Sequence, residues 1–505
     1  MTRADSPSLA FVSGYDRLSG LDASFLALER IETPMHIGSL AVLEGEPFFD
    51  ERGRFRLADA RHLVASRLHL IPRFRQRPME VPFGLGRPVW VDDERFDIGY
   101  HVRLTALPAP GSRAQLLALF ERVEAQLLDR SRPLWELWFV EGLEGGQVAV
   151  FQKTHHALVD GISGVDVATV LFDFTREPTI PDAPEWKPRP APSPQQLLVD
   201  TVVGELGGVV HVGRVVADAI QVPQRAMAQL GQLGRSVATL AEGRLLAPRL
   251  SINRPVGRHR RFLGVKVPLD DVKAVRAVYG GTINDVVLAG VAGGLGRLLD
   301  ARGELRPNLI VKVMCPVSVR VDDEHLALGN RVSALVVPLA VAEQDPVSRL
   351  ASVRAATEGL KERHQAVAAD TLLGLTQYAA PTLLGLAARA AHHQVFFNLV
   401  STNVPGPQVP LYCMGAEMLE AYPMVPLSRN LGVGIAILSY CGSLHFGVLG
   451  DRDEFPDLDV LADGIAASFA EMRAHAEAHE VPEPDAAASD SAGGDAVEPA
   501  SDSAS

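Results

Sequence analysis

The chain reads as an α/β protein built in two bodies joined by a linker. Three observations predict this. A compact strand candidate, Gln147–Lys153 (QVAVFQK), runs toward an apolar-rich helix candidate at Ile162–Phe172. From about residue 263, further strand candidates alternate with helical segments. Between these regions, residues 181–196 hold six prolines in sixteen positions. That density rules out regular structure and reads as an extended linker.

Taken in order, residues 1–180 mix short strand-like runs with helices. Residues 197–247 read as one or two helices, because Leu198, Val202, Leu206, Val209, Val210 and Val216 recur at helical spacing. Two readings of that segment stand side by side: a helix packed on a domain core, or a helix lying on a membrane surface. The RPVGRHRRF stretch follows, with Arg254, Arg258, Arg260 and Arg261. It reads either as a solvated linker or as a contact for anionic headgroups or cofactor phosphates. In the second body, strands are expected at Phe262–Val267, Leu309–Met314, Val332–Val337, Phe396–Ser401, Gly432–Ser439 and Leu444–Leu449. The last two flank a hairpin-like turn, Tyr440-Cys441-Gly442-Ser443. Helices are expected over 269–278, 284–299, 346–362, 370–392 and 457–478. The domain boundaries are therefore 1–180, a linker at 181–262, 263–478, and a tail at 479–505. The tail is Ala, Ser, Asp, Gly, Glu and Pro, a composition that cannot bury a core and reads as disordered.

Composition bounds the function. The 505 residues suit two to four domains at roughly 100–200 residues each. Apolar residues make up 47%, so large cores are attainable. The net charge of −13 is opposite in sign to that of a general nucleic-acid binder. Seven of the acids lie between Glu480 and Ser505, where there is no Lys or Arg. The three cysteines, Cys315, Cys413 and Cys441, are far apart and form no CxxC. Neither a disulfide scaffold nor a cysteine-rich zinc site is expected, which fits a reducing cytoplasm. The first twenty residues lack a continuous apolar run, so no signal peptide is expected. No uncharged apolar run reaches 18 residues, so any membrane contact is expected to be peripheral.

The strongest chemical signal is Lys153-Thr154-His155-His156-Ala157-Leu158-Val159-Asp160-Gly161. Adjacent residues on an extended strand point to opposite faces, so His155 and His156 cannot both address one reacting atom. One is expected to be structural and the other presented. Asp160 can turn back onto an imidazole or pair with an arginine, and Gly161 permits backbone conformations that other residues resist. A neutral histidine is suited to take a proton from an alcohol as that oxygen attacks a carbonyl. No serine nucleophile is needed if the acyl donor is already activated, as a thioester is, and no G-x-S-x-G elbow is present. A metal site remains an alternative reading of two histidines and an aspartate, although no HExxH helix or cysteine set accompanies them. A purely structural pair of histidines is the other alternative.

HHALVDG resembles the HHxxxDG motif of the bacterial wax ester synthase/acyl-CoA:diacylglycerol acyltransferase family, the triacylglycerol synthase-like enzymes. That family is similar to chloramphenicol and carnitine acyltransferases and to peptide-synthetase condensation domains. Further segments carry the resemblance: Leu18–Leu40, LPAPG (Leu107–Gly111), LDRSRPLWELWFVEGL (Leu128–Leu143) and GTINDVVLAGVAGGL (Gly281–Leu295). So do MCPVSVR (Met314–Arg320), GNRVS (Gly329–Ser333), STNVPGP (Ser401–Pro407) and Ser439–Leu458. Together they span about residues 15–475.

The resemblance implies two chloramphenicol-acetyltransferase-like domains joined by a helical linker, with a substrate tunnel between them. It implies an acyl-CoA co-substrate, no metal or other cofactor, and diacylglycerol or a long-chain alcohol as acceptor. By matching position, His156 would be the general base, His155 would support the loop, Asp160 would order it, and Gly161 would keep the channel open. Asn284 would donate to the oxyanion, or else cap a helix. Ser401 and Thr402 resemble a Ser-Thr-Ser segment beside CoA, with Asn403 in place of the last Ser. A plain turn before Pro405-Gly406-Pro407 is the alternative. Pro133-Leu134-Trp135-Glu136 lines a channel or fills a core. The resemblance also implies a cytoplasmic protein peripherally bound to the inner membrane or to lipid droplets. Two rival functions stay open: a carrier-protein-dependent condensation enzyme of the same superfamily, and a lipid-binding protein without catalysis.

Overall fold

A computed structural model of the protein describes residues 15–158, 171–181, 184–203, 246–318, 332–364 and 396–479. Most of the Ile162–Phe172 helix, the 370–392 helix and the acidic tail lie outside them. So does most of the 197–247 segment, of which a helix over 194–203 is described.

Fifteen strands are described, in chain order: β1 (Asp16–Arg17), β2 (His36–Leu43), β3 (Gln76–Met79), β4 (Val89–Asp92), β5 (Val102–Ala106), β6 (Trp135–Glu141), β7 (Val148–His155) and β8 (Arg260–Pro268). They continue with β9 (Ile310–Ser318), β10 (Val332–Ala340), β11 (Leu399–Pro405), β12 (Tyr412–Cys413), β13 (Ala416–Met424), β14 (Val433–Tyr440) and β15 (Ser443–Asp451). Two six-stranded sheets dominate, with orders β12-β13-β2-β7-β6-β5 and β10-β9-β11-β14-β15-β8. A small third sheet runs β1-β4-β3.

The second sheet follows the sequence pattern closely. Each of its six strands overlaps a sequence-based expectation. The β14–β15 hairpin closes at Cys441 and Gly442, both at positive φ, a geometry that turns the chain in the hand of the strand twist. Helices Leu269–Tyr279, Ile283–Ala301, Pro346–His364 and Leu458–His479 accompany this sheet, and residues of all four join its aliphatic core. The Ile283–Ala301 helix begins with a capping box. Thr282 accepts from Asp285 N, and the Asp285 carboxylate accepts from Thr282 N. Its glycines let the Leu458–His479 helix come close: a Cβ at Gly290 would fall 2.5 Å from the Phe469 ring, and one at Gly294 2.6 Å from Ile465.

The two sheets do not follow the division of the chain at 262/263. Residues 412–424, from the second half, form the edge of the first sheet, where β13 pairs antiparallel with β2. Local patterning cannot reveal this, because the partner lies more than 370 residues away. The exchange builds a shared core in which Leu40, Val42, Phe120 and Phe151 pack with Phe262, Tyr422 and Leu449. Tyr440 adds a polar tie, donating its hydroxyl to Met418 O at 2.9 Å.

The four arginines before β8 are engaged. Arg254 pairs with Glu454, Arg258 with Glu32 and Arg261 with Asp459. Arg260 is buried and donates to Gly257 O, His259 O and Glu32 O. Arg258 and Arg260 thus tie this segment to the first half through Glu32, while Arg254 and Arg261 pair within the second. Among the described residues no single helix is long and apolar enough to cross a membrane. Leu269–Tyr279 with Ile283–Ala301 passes by composition only as a pair bent by 104°, and the second of these helices is largely core.

Candidate functional site

Strand β7 lies at the centre of the first sheet, antiparallel to β2 on one side and β6 on the other. A continuous apolar run, Val148 to Phe151, is buried at every position, as suits a central strand covered on both faces. The strand ends at His155, and His156–Leu158 turns as a 3-10 helix. Three hydrogen bonds hold that turn: His155 N to Leu134 O at 2.9 Å, His156 N to Met35 O at 2.7 Å, and Ala157 N to His155 Nδ1 at 3.0 Å.

The adjacent histidines take different environments. His155 has no exposed surface. Its Nδ1 accepts from Ala157, so in the neutral ring the proton sits on Nε2, the atom 3.3 Å from Glu29 Oε1. His36, directly across the ladder from His155, places its own Nε2 3.3 Å from the same oxygen. Both contacts are at ion-pair distance but off the axis of a good hydrogen bond. Glu29 follows the Gly20–Leu28 helix. It also accepts from Met35 N at 3.1 Å and faces Arg130 Nη2 at 3.0 Å. Burial works to raise its carboxyl, but the imidazoles of His155 and His36 outweigh burial and hold it below the usual carboxylate range. Burial likewise pushes His36 down to about 4, with Glu29 opposing. At neutral pH the cluster therefore holds an ionised Glu29 carboxylate beside a neutral His36.

His156 is half-buried, and its ring stacks on Phe25 at 4.0 Å and 25°. Phe25 is set by the Gly20–Leu28 helix, whose cap Ser19 accepts from Asp22 N at 3.1 Å. One short N-terminal segment therefore supplies the stacking ring for His156 and the carboxylate for His155. Asp160 and Gly161 lie outside the described residues.

The second-half candidates fall in two elements. Asn284 is not a cap, because Thr282 holds that position. It is half-buried, and its Oδ1 accepts from Asn403 Nδ2 at 3.3 Å. Ser401 is buried and Thr402 half-buried. Both lie within β11, which is parallel to β9 and to β14, so the turn expected before Pro405 is replaced by a strand. Trp135 is core: it is 1% exposed, donates Nε1 to Phe74 O at 2.8 Å, and stacks between Phe74 and His101. Among the described residues no group of three or more His, Cys, Asp or Glu side chains is arranged to hold a metal.

Sequence reasoning missed Glu29, His36 and Phe25, and it saw Asn403 only as a departure from a Ser-Thr-Ser-like segment, not as the partner of Asn284. The signal available for His36 was a polar residue at an inward position of the run HIGSLAVL. Glu29 gave none, since its partners come from distant segments.

Comparison with known proteins places this geometry in context. Residues 18–287 match the family model described as wax ester synthase/diacylglycerol acyltransferase catalytic domain, and 328–473 match the C-terminal domain model of the same family. A putative diacylglycerol O-acyltransferase of Mycobacterium tuberculosis is 36% identical over 467 residues, covering 90% of this chain and 99% of the relative. A probable diacylglycerol O-acyltransferase of the same organism is 33% identical over 470 residues, covering 90% and 96%. Among solved structures, the wax ester synthase/diacylglycerol acyltransferase from Marinobacter aquaeolei VT8 is similar at TM-score 0.65 and 28% identity, covering 92% of this chain and 100% of that one. The first condensation domain of the calcium-dependent antibiotic synthetase is similar in fold, with TM-score 0.55, 17% identity, and coverage of 91% and 96%.

Proposed function

The chain belongs to the wax ester synthase/diacylglycerol acyltransferase family, and from that membership and the histidine geometry we propose that it is an acyl-CoA-dependent O-acyltransferase with His156 as general base. The acyl group passes from acyl-CoA to the hydroxyl of 1,2-diacylglycerol, giving triacylglycerol and free CoA. Long-chain alcohols would give wax esters by the same chemistry.

The observation that carries the base assignment is the division of labour between neighbours. His155 is buried and committed to Glu29 and Ala157, whereas His156 is half-buried on Phe25. In the reaction, the His156 imidazole takes the acceptor's hydroxyl proton while that oxygen attacks the thioester carbonyl. Collapse of the tetrahedral intermediate breaks the carbon–sulfur bond, and the leaving thiolate recovers the proton. A base of this kind contributes about 10²–10⁴-fold. Asn284, Ser401 and Thr402 are assigned to the oxyanion and site support, with the Asn403 contact orienting Asn284. Asp160 orders the loop and Gly161 leaves room beside the ring. A tunnel between the two sheet-based bodies would keep water from the thioester. The reading needs no metal or redox cofactor.

Peripheral contact with the inner membrane or a lipid droplet, on the cytoplasmic side, belongs to the same reading. Exposed apolar side chains at Phe83, Val199, Val202 and Val203 support it. Thr201 of the 194–203 helix adjoins the Phe83 loop at Gly86, so these residues share one side of the molecule.

The test is release of thiol from palmitoyl-CoA by the purified chain, with dioleoylglycerol or hexadecanol as acceptor and the lipid products separated. Acceptor-dependent release with formation of a neutral ester is expected. No release with either alcohol, from folded protein, would favour the carrier-protein or lipid-binding alternatives.

A further inference from the structure

The interior of the first sheet holds a second polar feature that acyl transfer does not use. Glu124 ends the Arg113–Glu124 helix, is 3% exposed, and has no hydrogen-bond donor at either carboxyl oxygen. It lies over Gly38, where a Cβ would fall 2.9 Å from Glu124 Oε1. Gly38 faces Lys153 across the β2–β7 ladder, two positions from the His36–His155 pair. His36, Gly38, Lys153 and His155 therefore share one face of the sheet. Glu29 sits over one end of that row and Glu124 over the other.

Four charged or titratable groups surround Glu124: Lys153 on β7, Glu136 on β6, His36 on β2 and Arg260 on β8. None of the described cations forms an ion pair with it. The Lys153 ammonium is spent on Val123 O at 2.7 Å and on Gln126 O, and Arg260 on three carbonyls. Burial raises the Glu124 carboxyl above the usual carboxylate range, against the pull of Lys153, and so favours the protonated, donating form. The group facing it can accept: His36 Nε2 lies 3.3 Å from the Glu29 carboxylate, the side that favours its proton, which leaves Nδ1 a lone pair, buried and without a donor. Between them, His36, Glu124, Arg260, Pro34, Met424 and Leu427 border a cavity of about 10 Å³. That is room for about one water.

We propose that this cavity binds one water that links the Glu124 carboxyl to His36 Nδ1, making Glu124 the far end of a hydrogen-bond chain that positions the His155–His156 turn. Donation converges on Glu29 from two arms. Glu124 O–H donates to water, water to His36 Nδ1, and His36 Nε2–H points to Glu29. The same carboxylate receives His155 Nε2–H, and His155 Nδ1 accepts from Ala157 N. The water sets the His36 tautomer, Ala157 N sets that of His155, and the two arms meet at Glu29, which ties the Glu124 end to the residue before His156. Glu124 is a positioning residue and touches no substrate. Ionisation removes its donor and leaves two carboxylates flanking a neutral His36.

Two measurements on the full chain test this, and only the second rests on His156 acting as the base. The first uses protein labelled with 15N-histidine, without substrate, the His36 signals being assigned from a His36→Gln spectrum. His36 is expected as the Nε2–H tautomer in the parent and in Glu124→Gln. In the near-isosteric Glu124→Met, its Nδ1 resonance is expected to move toward that of a lone pair with no donor. An Nδ1 resonance unmoved by Glu124→Met overturns the water link, whatever the enzyme's activity.

The second is the pH profile of kcat with the acceptor that proves active. The parent is expected to lose rate as pH rises through the raised Glu124 value. Glu124→Gln, which still donates, should keep kcat within about threefold at pH 7 and lack that alkaline loss. Glu124→Met should lower kcat about tenfold or more at unchanged KM and undiminished melting temperature. An alkaline loss identical in the parent and Glu124→Gln, or a full rate in Glu124→Met, overturns the positioning role.

Discussion

The two six-stranded sheets match in strand number and differ in what they bury. In the second body the buried polar groups serve structure and are mostly satisfied. Asp285 completes a capping box and accepts from Thr357 at 2.7 Å. Arg349 donates to Ala289 O and Ser468, and Asn398 bonds Pro248 O and Asn253. Among the described residues His445 is an exception, buried with neither ring nitrogen hydrogen-bonded and pushed down to about 4 by burial, with Lys266 adding to the fall; Arg354 Nε and Arg473 Nη1 also lack a partner. In the first body, by contrast, a row of titratable groups runs beneath the histidine turn, and His36 Nδ1 and both Glu124 oxygens have no protein partner. Unsatisfied buried polar groups are costly, so a fold retains them where something is gained. The gain assigned here is a fixed orientation for the reactive turn.

The largest effect expected from breaking this contrast comes at Glu29. Glu29→Ala leaves His36, His155 and the Met35 N–H facing a void. A loss of about 3 kcal/mol in unfolding free energy is expected, on the scale for buried charged partners, with a fall in kcat. Urea unfolding and turnover measured on the same preparation check both.

Next comes acid. Glu29 titrates below its ordinary value in the folded chain, so the stability it adds above pH 4.5 is lost as pH falls beneath that. His36 is held near 4 rather than 6.5. The folded state resists its protonation, and stability falls as pH drops from 6.5 toward 4, by up to about 3 kcal/mol. His36→Gln should shrink the loss between pH 6.5 and 4.5. His101 and His445, also held near 4, keep the remainder. Unfolding midpoints at the two pH values measure this.

In the second body, Gly290→Ala should cost about 1–3 kcal/mol, since the new methyl overpacks against Phe469. The melting temperature should drop while the rate per folded molecule holds. A matching loss of rate would erase the distinction between the bodies. The smallest effect is at the surface. Arg254→Ala removes an exposed pair with Glu454 and should change stability by less than about 1 kcal/mol.

Much of the second sheet was legible because its strands and helices carry local periodicity and its β14–β15 turn carries turn residues. The crossing of β13 onto β2 was not. Ala416–Met424 has a proline at 423, and its partner is remote in sequence, so no local pattern announces a strand. At the site, the motif from His155 to Gly161 was legible from residue type and spacing. The carboxylate serving His155 was not, because Glu29 reaches it by the path of the chain around Thr33–Met35 rather than by any periodicity. Asn284 looked equally like a cap until the neighbouring Thr282–Asp285 box took that role.

The most direct measurement compares His156→Ala with His155→Ala, each assayed for acceptor-dependent thiol release and thermal unfolding. His156→Ala should melt within a few degrees of the parent and lose about 10²-fold or more in rate. His155→Ala should melt markedly lower, because it empties a fully buried site beside Glu29. If His156→Ala kept its rate, or if His155→Ala matched the parent's melting temperature while losing all activity, the assignment of base and support to these neighbours would be contradicted.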